Sequence, residues 1–198
     1  MIFAWRRLGV ALWAAVTLAV SSGSLAYAQE DGRPALEADY RAALEGRRYP
    51  EALSLAEERL RLAEKTYGSH DPFVATLLVD VGDCHYLLGE LGQAERAYER
   101  SLAIREKALG PDDAEVARSV RKLARVFMDS GEWLKAAELY TRALEIFDRS
   151  IHPYSAELAI ALEEYAGTLW ALERHEEARV IGMRAKTIRL HVNDSSSP

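Results

Sequence analysis

Residues 78–104 read LVDVGDCHYLLGELGQAERAYERSLAI, and residues 120–146, 42 positions later, read VRKLARVFMDSGEWLKAAELYTRALEI. The two stretches share a pattern more than identities. Leu78, Val81, Gly82 and His85 answer to Val120, Leu123, Ala124 and Phe127, and Gly89-Glu90 answers to Gly131-Glu132. Ala94, Tyr98, Ser101 and Ile104 answer to Ala136, Tyr140, Ala143 and Ile146. Within each half the recurring positions are three or four apart, which places them on one helical stripe. The glycine between the halves is a helix stop. Each stretch therefore predicts two helices joined by a tight turn, and the recurrence predicts stacked copies of that pair.

Working outward, Ala52 and Ala178 extend the series Ala94, Ala136 by the same step on either side. An alanine there lets two helices approach to about 8–10 Å. The expected helices run near 34–46, 49–67, 72–88, 91–109, 113–130, 133–150, 154–172 and 175–191, with breaks at Gly46, Gly89 and Gly131. The fourth break has Glu173-Arg174 in place of a glycine. No segment alternates with period two, so no sheet is expected. The outer repeats carry Ala56 and Gly182 where the inner ones carry Tyr98 and Tyr140, as units with a single neighbour do.

The small, aromatic and alanine positions of residues 78–104 resemble the tetratricopeptide repeat (TPR). The longer period, with Leu-Ala-Ile-Arg-Glu-Lys at 102–107 and Leu-Gly-Pro-Asp-Asp at 109–113, resembles the kinesin-light-chain type. The resemblance covers about residues 33–192. It implies an all-α, right-handed solenoid of about four repeats, near 33–68, 72–110, 113–150 and 154–191. It also implies a concave groove, lined by the first helix of each pair, that holds a protein or peptide.

The N-terminal region reads as an export signal. Arg6 and Arg7 precede the apolar run Leu8 to Val20, and Ala26-Tyr27-Ala28 supplies a cleavage pattern before Gln29. The expected mature chain lies in the periplasm or outside the cell. The alternative is an anchor formed by residues 8–28. A tail at 193–198, rich in Ser, is expected to be disordered. The net charge of −6 becomes −8 without Arg6 and Arg7, since residues 1–28 hold no acid. Such a chain is a poor partner for nucleic acid or an anionic membrane surface.

No catalytic, cofactor or metal site is expected. The five histidines show no metal-binding pairing, and no phosphate-cradling loop or nucleophile elbow occurs. His70 and His152 read as turn residues. Cys84, the single cysteine, cannot form an internal disulfide and reads as a small buried group. Asn193-Asp194-Ser195 fits a glycosylation sequon weakly.

One constellation stands out. Arg118, Arg121, Lys122 and Arg125 share a helical face on the first helix of repeat three. The neighbouring first helices offer Asp80, Asp83 and Tyr86 on one side and Glu163, Glu164 and Trp170 on the other. Two readings remain open. The cations can pair across repeats, since a 42-residue shift takes Lys122 to Asp80 or Glu164, Arg121 to Glu163 and Arg125 to Asp83. They can also line a groove for an acidic peptide. Val180, Met183 and Leu190 form a second apolar stripe on the last helix. A second copy or a partner protein is expected to cover it at the C-terminal edge. A binding scaffold is thus the leading function; an envelope assembly element and a non-catalytic enzyme subunit are the alternatives.

Overall fold

The computed structural model describes residues 33–152 and 155–195. The expected signal or anchor, with its cleavage site, lies outside them, as do Pro153 and Tyr154. Eight helices and no strand occur among the described residues: α1 (Arg33–Glu45), α2 (Tyr49–Tyr67), α3 (Pro72–Leu87), α4 (Leu91–Leu109), α5 (Ala114–Asp129), α6 (Trp133–Ser150), α7 (Ala156–Ala171) and α8 (His175–Ser195). By compactness the chain divides between Leu55 and Ala56. In the first part, Tyr40, Ala43 and Ala52 are buried.

From Ala56 onward, α3 pairs with α4, α5 with α6 and α7 with α8, while α4 packs on α5 and α6 on α7. Fully buried alanines sit at Ala94 and Ala136, where the helices meet. Val116, Val120, Phe147, Leu158 and Leu162 centre one cluster of the core, and Tyr98, Phe127 and Tyr140 another.

The 42-residue step also governs how helices start and stop. Asp71, Asp113 and Ser155 cap α3, α5 and α7, accepting hydrogen bonds from the amides of Phe73, Glu115 and Leu158. The expected starts at 113 and 154 are corrected accordingly: Asp113 is the cap rather than the first helical residue, and α7 begins at Ala156 behind Ser155. At the other end, Arg47, Gly89, Gly131 and Glu173 all adopt positive φ. Each is followed by a residue whose amide reaches five positions back, as in Glu90 to His85 and Arg174 to Leu169, both 2.9 Å. The break in repeat one therefore falls at Arg47, one residue after the expected Gly46.

The turn without glycine keeps the same geometry at a cost, because Glu173 stands at φ 60° where a Cβ is disfavoured. Glu173→Gly should raise stability by about 0.5–1 kcal/mol, net of the flexibility glycine adds to the unfolded chain. Thermal melts of the two proteins, about 1–4 °C apart, check this. The last helix runs to Ser195, past the expected end at 191 and into the expected tail. Nothing in Val192 to Ser195 is a glycine or proline that would stop it.

Candidate functional site: the face of the first helices

α3, α5 and α7 carry the predicted residues, and the structure brings most of them together in pairs. Arg118 reaches Glu157 through Nε and Nη2, at 2.7 and 2.8 Å, and also meets Glu115. Hydrogen bonding to Glu157 pushes the Arg118 guanidinium to a still higher pKa. Arg121 Nη1 lies 2.9 Å from both oxygens of Glu164. Lys122 sits on Asp83 at 2.6 and 2.8 Å. Arg125 faces no carboxylate in this way: its Nε donates to the Tyr86 hydroxyl at 2.8 Å, and its guanidinium lies 4.2 Å over the Tyr86 ring. The Tyr86 hydroxyl in turn donates to Asp129.

The cross-repeat ladder thus exists, but in a different register from a plain 42-residue shift. Lys122 pairs with neither Asp80 nor Glu164, Arg121 does not reach Glu163, and Arg125 does not reach Asp83. Asp80 is held by Arg59 at 2.8 Å, and Glu163 by Arg189 at 2.9 Å. The Arg189 guanidinium draws the Glu163 carboxyl below its ordinary pKa. Arg118–Glu157, Lys122–Asp83 and Arg125–Tyr86 all span 39 residues. Each joins a position on one first helix to the position one turn earlier on the next. Arg121–Glu164 and Tyr86–Asp129 span 43 instead, so partners lie from a turn before the equivalent residue to one position after it. These partly exposed pairs are worth roughly 0.2–1 kcal/mol each and act mainly on register.

A second ladder, on α2, α4, α6 and α8, was not anticipated. Arg100 pairs with Glu64, Arg142 with Glu106 and Arg184 with Asp148. All three span 36 residues, and both the arginines and the acids recur at 42. The recurrence was present in the chain as a signal. Its pairing was hidden because the lag between partners is not the repeat length.

Three of the four predicted cations are therefore neutralised by carboxylates. Arg125 is the exception, and its two Nη groups have no hydrogen-bond partner among the described residues. Its partner Tyr86 shares a repeat position with Met128 and Trp170 in the two repeats that follow. Tyr86 and Met128 are half-buried, whereas Trp170 is 59% exposed and stacks on His175 with ring centroids 4.1 Å apart. One side of the face is less well satisfied. Tyr98 donates to Asp83 at 2.5 Å, but Tyr140, its counterpart, has a buried hydroxyl with no partner, as has Arg121 Nε.

Val180 and Met183 are 58% and 55% exposed. Their counterparts in repeat three, Glu138 and Thr141, are also exposed although repeat four follows them. Thr141 nevertheless reaches the Tyr165 hydroxyl of the next repeat at 3.2 Å, and Asp148, the counterpart of Leu190, pairs with Arg184 there, so the stripe borders the side on which a following repeat makes contact. Cys84 is fully buried, in keeping with its reading as a small core group.

Known proteins place this architecture. A tetratricopeptide repeat family model matches residues 41–107, 74–149 and 113–190. Among solved structures, BtubC (BKLC) from P. vanneervenii superposes with TM-score 0.72 at 20% identity, covering 92% of this chain and 79% of that one. A Podosopora anserina protein described as a kinesin light chain with nearly identical TPR-like repeats gives 0.58 at 17% identity, over 82% and 98%. The apo form of RapI gives 0.71 at 17% identity, over 92% and 66%. At these identities the likeness is one of fold. No curated protein sequence matches the chain.

Proposed function

From a chain that belongs to the tetratricopeptide repeat family, we propose an exported, non-catalytic adaptor that holds a protein or peptide against the α3–α5–α7 face. The observation that carries this reading is Arg125. It is a half-buried guanidinium fixed by its Nε on Tyr86, over whose ring it lies, with both Nη groups unengaged among the described residues. A carboxylate accepts two parallel hydrogen bonds from such a group, and the row Tyr86, Met128 and Trp170 offers apolar contacts at repeat spacing. The binding chemistry is thus one acidic side chain or chain terminus beside apolar residues. It is narrower than a strip of four cations, because Arg118, Arg121 and Lys122 are already matched by acids.

Export rests on Arg6, Arg7, the apolar run Leu8 to Val20 and the Ala26-Tyr27-Ala28 pattern. The same preparation tests both points. Protein recovered from the envelope or medium should begin at Gln29, while a Met1 start in the membrane fraction supports the anchor instead. With a partner recovered by that protein from envelope extract, Arg125→Ala should lower affinity at least tenfold, about 1.4 kcal/mol, with the melting temperature little changed. Arg118→Ala and Arg121→Ala should lower the melting temperature and leave affinity nearly intact. An unchanged affinity in Arg125→Ala rejects the site.

A further inference from the structure

In repeat two a carboxylate is held between a tyrosine and a cation. Tyr98 donates its hydroxyl to Asp83 Oδ1 at 2.5 Å, and Lys122 of the next repeat closes on the same Asp83 at 2.6 Å. Shifted by one repeat of 42 residues, Tyr98, Asp83 and Lys122 become Tyr140, Arg125 and Glu164. The acceptor in the middle is thus replaced by a donor. Glu164 does not make up the loss, because Arg121 Nη1 holds both of its oxygens at 2.9 Å. Arg125 itself turns to Tyr86 of the preceding repeat, and Asp129 accepts from Tyr86. Tyr140 is left fully buried with its hydroxyl unpartnered, and both Nη groups of Arg125 are unengaged among the described residues.

An unpartnered buried hydroxyl weakens a fold, and phenylalanine would fill the same space without that loss. Burial pushes the Tyr140 phenol far above its ordinary pKa. Glu164 and Asp129 push the same way, and Arg121 and Arg125 oppose them. The hydroxyl therefore stays protonated and keeps a hydrogen to donate. Charge around it is balanced, since Glu164 and Asp129 stand against Arg121 and Arg125. What is in excess is donors.

We propose that Tyr140 is the second anchor of the Arg125 site: a carboxylate of the bound protein accepts from the Arg125 Nη groups and from the Tyr140 hydroxyl, in the place that the Asp83 carboxylate fills one repeat earlier. This rests on the reading of Arg125 given above and adds the residue that tells a carboxylate from an amide. The two oxygens of a carboxylate match these donors, whereas an amide sets its own NH2 against one of them. Repeat two supplies the precedent within the chain, a carboxylate shared by a tyrosine hydroxyl and a cation.

The test is an NMR titration of the isotope-labelled protein with sodium propionate and with propionamide at matched ionic strength, read at the Arg125 Nε–H signal. Propionate should bind saturably and at least tenfold more tightly than propionamide. Tyr140→Phe should weaken propionate binding and partner binding at least fivefold, while the melting temperature stays level or rises because an unpartnered hydroxyl is gone. Tyr98→Phe, which strips a hydroxyl from Asp83, should do the reverse, with a lower melting temperature and unchanged propionate affinity. Propionate affinity untouched by Tyr140→Phe overturns the inference, and a lower melting temperature in that variant then assigns the hydroxyl to Glu164 or an internal water. Equal affinity for propionate and propionamide overturns it too, as does a parent protein that binds neither. The Arg125 reading is judged apart from this, by partner affinity in Arg125→Ala. A loss there, with partner affinity intact in Tyr140→Phe, removes Tyr140 and leaves Arg125 standing.

Discussion

Gly82→Ala should destabilise the protein by about 1–3 kcal/mol, the usual cost of forcing a methyl group into a filled core. A Cβ at Gly82 would stand 2.5 Å from Tyr98 Cε1 and 2.7 Å from Cδ1. The ring has little room to retreat: Tyr98 is 2% exposed, and its hydroxyl is anchored 2.5 Å from Asp83 Oδ1. Burial and the adjacent Asp83 carboxylate push the phenol far above its ordinary pKa, so it remains a donor to Asp83 throughout the working range. Asp83 also holds Lys122, so a displaced ring would disturb the contact between repeats two and three. In a Tyr98→Leu background the added methyl should cost far less, and that difference isolates the clash from any change in helix propensity. Denaturant titration of the four proteins in this cycle measures it. A Gly82→Ala protein as stable as the parent would show that the aromatic packing is looser than this geometry.

Arg105→Ala should cost about 2–4 kcal/mol, while Arg105→Phe combined with Ser119→Ala should recover most or all of it. Arg105 is 5% exposed; it pairs with the Glu115 carboxylate at 2.8 Å and donates to the Glu115 carbonyl and to Ser119 Oγ, both at 3.0 Å. Burial lowers the pKa of its guanidinium, which is the mark of a charge held out of water. One repeat later the same two positions are Phe147 and Ala161, both fully buried in an apolar cluster. The chain therefore contains two solutions for one packing site, polar between α4 and α5 and apolar between α6 and α7. Truncating Arg105 alone empties a large buried volume and leaves the Ser119 hydroxyl and the Glu115 carbonyl without their donor, while the Glu115 carboxylate keeps Arg118. Transplanting the apolar pair replaces volume with volume. Chemical unfolding of the single and double variants checks this, and a double variant no more stable than Arg105→Ala would reject the equivalence.

Much of the fold was readable in one dimension because a repeat writes the same local physics several times. The caps Asp71, Asp113 and Ser155, the left-handed positions Gly89 and Gly131, and the buried Ala94 and Ala136 are each dictated by backbone and steric needs within a few residues. Boundaries slipped by one or two residues where a cap could be taken for the first turn, as at Asp113, or where an arginine rather than the adjacent glycine adopted positive φ, as at Arg47.

The basic face of α5 was equally plain as a cluster, and its 42-residue relation to acids on α3 and α7 was plain too. Its partners were not. Whether Lys122 meets Asp80 or Asp83 depends on how far one repeat slides along the next, and that stagger is set by packing of Tyr98, Phe127 and Tyr140 across the whole interface. It is a sum over many contacts with no local signature. On the second helices the lag between partners is 36 residues, where Arg100, Arg142 and Arg184 meet acids of the preceding repeat. Period and sequence alone determined which residues are equivalent. Only the tertiary structure decided which of them touch, and thereby left Arg125 on a tyrosine hydroxyl where the other three cations of its face hold carboxylates, because ion pairs follow distances of a few ångströms that the repeat length does not contain.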